Sequence, residues 1–276
     1  MKNLNLQLVP EPASRILTEL IKGLDSAAPG LVDGLYIPGS ISLNDFHPTK
    51  SDIDFIISCK ELPDAMTAST LRKLHQGIQK RYPKPDLSGC YIAIDSLLAE
   101  DVSSIKVLSW HQRKMKFQFL EMAPVLLYEL KNSALTLFGP DWKNLNVNID
   151  RNVLNDFMLR NVSDYWQNWI DAHSDWFRRK LLLWLFPGFT EWSVLGLARI
   201  YCTLQTGRIV SKTEGGNYCL EEIPSRFHPI IHRAIEIRKD ERVYPIVGSY
   251  AIRPSIKRMK ATLEFVSFLV GKFDRC

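Results

Sequence analysis

Two short stretches carry residue types that could do chemistry. Gly39-Ser40 ends one apolar run, and eleven residues later a second run opens with Asp52-Ile53-Asp54. In an extended strand residues two apart share a face, so Asp52 and Asp54 fall on one side while Ile53, Phe55 and Ile57 anchor the other. Two carboxylates spaced in this way suit Mg²⁺, which prefers oxygen donors, keeps several waters and bridges carboxylates to substrate phosphates. Gly39 lets the backbone approach a phosphate closely, and the hydroxyls of Ser40 and Ser51 add donors. The chemistry implied is phosphoryl or nucleotidyl transfer.

These residues need a scaffold. Ile16, Leu17, Leu20, Ile21 and Leu24 recur at helical spacing, "GLYIPGS" and "SDIDFIISC" read as strands, and "MTASTLRKLHQGIQKRY" reads as a helix before a third strand, "GCYIAIDSLL". "APVLLYELKNS" is helical again, and "ALTLFGPDW" is a strand stopped by Gly139-Pro140. Alternating strands and helices predict an α+β first domain, a mixed sheet with flanking helices, over residues 1–145. From 146 to 276 the pattern is helical almost throughout, which predicts an all-α second domain. Gly207 falls where a helix C-cap belongs, and Ser211-Lys212-Thr213-Glu214 forms a capping box that starts the next helix. Trp166, Trp169, Trp176, Trp184 and Trp192, at helical spacing, read as core, and Arg178-Arg179-Lys180 as a solvated face.

Composition narrows the class. Hydrophobic residues make up 46% and charged residues 24%, ordinary values for a folded chain. No apolar run is long enough to span a membrane, and the N-terminus has no secretion signal, so a cytoplasmic location is expected. Five dispersed cysteines without metal-finger spacing fit reduced, mostly buried thiols. A net charge of +5 suits an anionic small ligand better than a nucleic acid.

The Gly-Ser pair, the eleven-residue spacing and the D-I-D strand together resemble the active-site signature of the nucleotidyltransferase superfamily, which includes DNA polymerase β. The second half is similar to the aminoglycoside 3''/9-adenylyltransferases, in "VLGLARI", "TGRIVSK" and "IPSRFHPI". This resemblance, over residues 35 to about 240, implies ATP as co-substrate, Mg²⁺ as cofactor and a small hydroxyl-bearing acceptor in a cleft between the domains. It places the metals on Asp52 and Asp54, the phosphates on Gly39, Ser40 and Ser51, and further nucleotide contacts on Arg199 and Lys212. By their own pattern, Arg199 suits an internal ion pair and Lys212 an exposed site.

The sequence departs from the family where a glutamate general base should open the third strand: Ser88, Gly89 or Cys90 stands there. Asp95 lies further along and reads as a helix cap. A nucleotide-contacting tyrosine falls on Arg238 and an acidic drug contact near Phe189, while Trp110-His111 matches a drug-contacting tryptophan region. Two functions are thus expected: adenylyl transfer to a small molecule, or nucleotide binding by a regulator that has lost transfer.

Overall fold

A computed structural model describes residues 4–97, 104–120, 122–142, 150–175, 177–240, 246–247, 250–251 and 253–273. The chain divides into two compact units, residues 1–149 and 150–276.

In the first unit the elements run α1 (Ala13–Ala27), β1 (Val32–Ile37), α2 (Gly39–Ser42), β2 (Ile53–Cys59), α3 (Ala65–Arg81), β3 (Leu87–Ala93), α4 (Ile94–Leu97), β4 (Lys106–His111), β5 (Lys114–Phe119), α5 (Ala123–Asn132) and β6 (Leu135–Phe138). The six strands form one mixed sheet in the order β5-β4-β3-β2-β1-β6. Only β2 and β3 run parallel, because α3 crosses over between them; every other neighbouring pair is antiparallel.

Alternation along the strands divides the core in two. Leu35, Ile37, Ile53, Phe55, Ile57, Leu87 and Tyr91 pack with Ile16, Leu17, Leu20 and Leu24 of α1 and with Leu71 and Ile78 of α3. Tyr36, Ile56, Cys90, Ile92 and Val107 face the other way, onto Ala123, Leu127 and Leu130 of α5. A sheet covered on both faces holds its strand ends firmly, and both candidate aspartates stand at one such end.

The β4–β5 hairpin has no forerunner in the sequence reading. Its two-residue turn, Gln112-Arg113, has φ of +49° and +60°, a left-handed pair of the kind usually signalled by Asn-Gly. Here the turn is held from outside: Arg113 gives Asp86 two hydrogen bonds, of 2.8 and 3.1 Å, and a third to the Pro83 carbonyl. β5, exposed and bearing Lys114 and Lys116, is the sheet edge.

The second unit comprises α6 (Arg151–Arg160), a π-helical stretch over Asn161–Trp166, α7 (Gln167–Asp175), α8 (Phe177–Leu185), α9 (Pro187–Thr206), α10 (Lys212–Glu222), α11 (His228–Lys239), β7 (Ile246–Val247), β8 (Tyr250–Ala251) and α12 (Ile256–Phe273). The two-residue strands β7 and β8 are a small exception to the all-α expectation; they pair antiparallel with each other. Gly207 ends α9 in the left-handed conformation, φ +71°. Ser211 caps α10 as the S-x-x-E pattern predicts, its hydroxyl accepting from the Glu214 N–H at 3.1 Å. Trp166 and Trp169 are buried and Trp166 stacks on Trp192 at 5.1 Å, in keeping with a core role. Trp184 is half-buried; Trp176 and the side chains of Arg178 and Arg179 lie outside the described residues.

Cys59, Cys90, Cys202 and Cys219 are buried. Among the described residues no helix is long and apolar enough to cross a membrane.

Candidate active site

β1 ends at Ile37, and Pro38 turns the chain into α2, a single helical turn that starts at Gly39. Gly39 has φ +71°, where a side chain is strained. A Cβ built on it would overlap the Asp54 carboxylate. Glycine is therefore required twice over, once by its backbone and once by the carboxylate against it. The Gly39 carbonyl accepts from the Leu43 N–H and the Ser42 hydroxyl, each at 3.0 Å, and the Ser40 carbonyl accepts from the Asp45 N–H at 2.8 Å. These bonds fold the loop back, so that Gly39, Ser40 and Asp54 come together.

Asp52 and Asp54 are both half-buried, whereas Ile53 and Phe55 are fully in the core. The face that carries Asp54 continues as Ile56 and Ser58, which are buried. The strand thus keeps its carboxylates where the covering layer gives way. Ser51 is placed differently from the expectation. It is buried, its hydroxyl accepts from the His47 N–H at 3.1 Å, and its own N–H donates to the His47 carbonyl. Its bonds close the 43–50 loop, with Asp45 and His47 paired 3.2 Å apart beside it.

The donor set fits magnesium. Among the described residues no group of three or more His, Cys, Asp or Glu forms a ready-made metal cage. Two carboxylates beside a glycine that admits a close approach are what an ion needs when substrate phosphates complete its shell.

Of Ser88, Gly89 and Cys90, where the resemblance expects a glutamate, strand register sets one beside Asp54. β2 and β3 are in parallel register with Asp54 beside Ser88, Phe55 beside Gly89 and Ile56 beside Cys90. Cys90 is buried on the α5 side, and burial lifts its thiol to about 12. A Cβ on Gly89 would run into the backbone of Phe55. Ser88 alone of the three stands next to Asp54 on its face, and its hydroxyl hydrogen-bonds His111 Nδ1 at 3.0 Å. Asp95 is exposed in the first turn of α4, inside the helix rather than at its cap. Trp110 does not line a drug site as expected: it is fully buried and stacks on His75 at 4.8 Å.

In the second unit Lys212 opens α10 and Arg199 lies on α9, and the two helices are in close contact, since a Cβ on Gly215 would strike the Arg199 backbone. Lys212 is not simply solvent-exposed. Its ammonium donates to Glu191 Oε1 at 3.1 Å, and Arg238, itself buried, donates to the same oxygen at 3.1 Å. Burial pulls the Lys212 ammonium below the ordinary lysine value; Glu191 opposes that, and Arg238 and Arg199 add to it. Lys212 and Arg238, both at positions that the sequence resemblance assigns to nucleotide contacts, thus share one carboxylate, with Arg199 near enough to act on the lysine charge. Phe189 packs near Phe186, with ring centroids 6.3 Å apart. Glu191 gave no sign in the sequence, where "TEWS" reads only as the start of a helix.

Residues 184–261 match the aminoglycoside adenylyltransferase C-terminal domain. The chain as a whole has a counterpart of similar fold among solved structures. It resembles the crystal structure of spectinomycin adenyltransferase AAD(9) from Enterococcus faecialis with ATP and spectinomycin, with a TM-score of 0.71 and 16% identity over 94% of this chain and 98% of that one. The STING-associated CdnE c-di-GMP synthase from Capnocytophaga granulosa covers 96% of this chain and 80% of its own at 12% identity, with a TM-score of 0.30. No curated protein matches. Residues 184–261 are thus similar to the aminoglycoside adenylyltransferase C-terminal domain and the chain shares the fold of AAD(9), in keeping with the sequence resemblance.

Proposed function

We propose that this protein is a Mg²⁺-dependent nucleotidyltransferase that moves AMP from ATP onto a hydroxyl of a small molecule of the aminoglycoside or spectinomycin kind. The observation that carries this reading is Gly39 set against the Asp54 carboxylate of β2, with Asp52 immediately before the strand and half-buried like Asp54. The family match at residues 184–261 and the fold shared with a structure that holds ATP and spectinomycin support it.

Asp52 and Asp54 would hold the metal, which when bound neutralises phosphate charge and polarises the α-phosphate. Gly39 and Ser40 border the place the phosphates would take, and Gly39 keeps that approach open. Lys212 and Arg238, which share Glu191, and Arg199, which acts on the lysine charge, would favour the triphosphate's negative charge. The acceptor oxygen then attacks the α-phosphorus, the bond to the β-phosphate oxygen breaks, and pyrophosphate leaves.

The test is incubation with Mg²⁺, labelled ATP and a panel of spectinomycin, streptomycin and other aminoglycosides. Label on the drug with matching pyrophosphate release is the expected result. ATP binding without turnover would favour the regulatory reading instead, for which Ser88 in place of a carboxylate is the supporting observation.

A further inference from the structure

Hydroxyl attack on a phosphorus goes faster when a positioned base takes the proton, and at neutral pH a serine hydroxyl at Ser88 cannot do so. The sheet supplies another group. Continuing the Gly89–Trp110 pairing by one residue brings His111, the last residue of β4, beside Ser88, where the 3.0 Å bond between the side chains confirms the approach. Strand alternation puts Asp54, Ser88 and His111 on one face across β2, β3 and β4, while Trp110 is turned into the opposite core. Two strand spacings, about 10 Å between backbones, separate Asp54 from His111 and leave room for a phosphorus and an attacking oxygen between the side chains.

The imidazole is also well anchored. His111 adjoins the two-residue turn, whose Arg113 is tied to Asp86 and to the Pro83 carbonyl just ahead of β3. The end of β4 is thereby fixed against the start of β3, and His111 against Ser88. The side chain itself is exposed, so a substrate can reach it.

We propose that His111, oriented by Ser88, is the general base of the transfer. This rests on the nucleotidyltransferase reading above. Ser88 Oγ accepts the Nδ1–H, which leaves the Nε2 lone pair to take the proton of the acceptor hydroxyl as its oxygen bonds to the α-phosphorus and pyrophosphate departs. The proton ends on Nε2, the imidazolium returns it to solvent, and no further reactant is needed. The charged groups toward His111 include Lys114, its partner on β5, and Lys116 two residues on along the same face, Arg113 and Asp86 at the turn, and Asp54 across β3 with Asp52 just ahead of it.

The experiment follows pyrophosphate release from Mg²⁺–ATP with spectinomycin and streptomycin as acceptors, between pH 5 and 9. His111→Gln is expected to lower kcat by roughly 10²–10⁴-fold with the KM for ATP and the ATP-induced rise in thermal midpoint intact. The fall in wild-type rate toward acid should vanish in this variant, a change that a merely structural role for His111 would not produce. Ser88→Ala should lower kcat by a smaller factor. Ser88→Glu on the His111→Gln background should restore turnover, with the acid limb moved to lower pH. A wild-type rate and pH profile in His111→Gln would overturn the assignment and leave the nucleotidyltransferase reading standing. If the wild-type protein releases no pyrophosphate with either acceptor although it binds ATP, transfer to these acceptors is rejected and the base with it.

Discussion

At the scale of single residues, Gly39 has the sharpest consequence. Gly39→Ala forces a side chain into a left-handed backbone and into the Asp54 carboxylate. The backbone term alone costs about 1–2 kcal/mol. The thermal midpoint without nucleotide should drop by a few degrees, and binding of Mg²⁺–ATP, measured by calorimetry, should be lost. His75 makes a second prediction. It lies fully buried between Phe55 and Trp110 and hydrogen-bonds the Tyr91 hydroxyl at 2.8 Å, and burial lowers it from 6.5 to about 3. The unfolded chain therefore takes up a proton below about 6.5 that the folded chain refuses until about 3. Its contribution to stability is present in full above that range and declines as pH falls, by roughly 1.4 kcal/mol per unit. Urea midpoints between pH 7 and 4.5 should fall less steeply in the His75→Phe/Tyr91→Phe variant than in the wild type. The apolar strand that carries Asp54, with Asp52 just ahead of it, was legible because alternation is a local property. His111 was not, because its neighbour Ser88 is twenty-three positions away and meets it only through strand register.

At the scale of elements, legibility followed the strength of the local signal. α1, β2, α3 and α5 could be read from apolar spacing, and the start of α10 from its capping box. Ser211→Ala removes the hydroxyl that holds the Glu214 N–H and should cost about 1 kcal/mol, read as a lower urea midpoint. The β4–β5 hairpin escaped the reading because "HQRK" holds neither glycine nor asparagine and its turn is fixed by Arg113 reaching to Asp86 and Pro83. β5 exposes nearly every residue, so its sequence has no buried face to announce. Such a hairpin is specified by tertiary contacts, and a window of local sequence cannot contain them.

At the scale of the whole molecule, the formal charge of +5 says less than where cations gather. Lys212 and Arg238 share Glu191, with Arg199 near enough to act on the lysine charge, a costly grouping in a protein without ligand and a useful one for an anion. Lys212→Met should leave the stability of the ligand-free protein unchanged or raise it by up to about 1 kcal/mol, since Arg238 still pairs with Glu191. Affinity for Mg²⁺–ATP should nevertheless fall at least about tenfold, equivalent to the loss of about 1.4 kcal/mol. A stability loss without a change in affinity would make Lys212 a structural residue only. The decisive measurement is calorimetric titration of ATP into the wild-type protein and into Asp54→Asn, each with and without Mg²⁺. Saturable binding that needs both the metal and Asp54 is expected; heat of binding unaltered by Asp54→Asn and by Mg²⁺ removal would show that the β2 carboxylates do not form the nucleotide site.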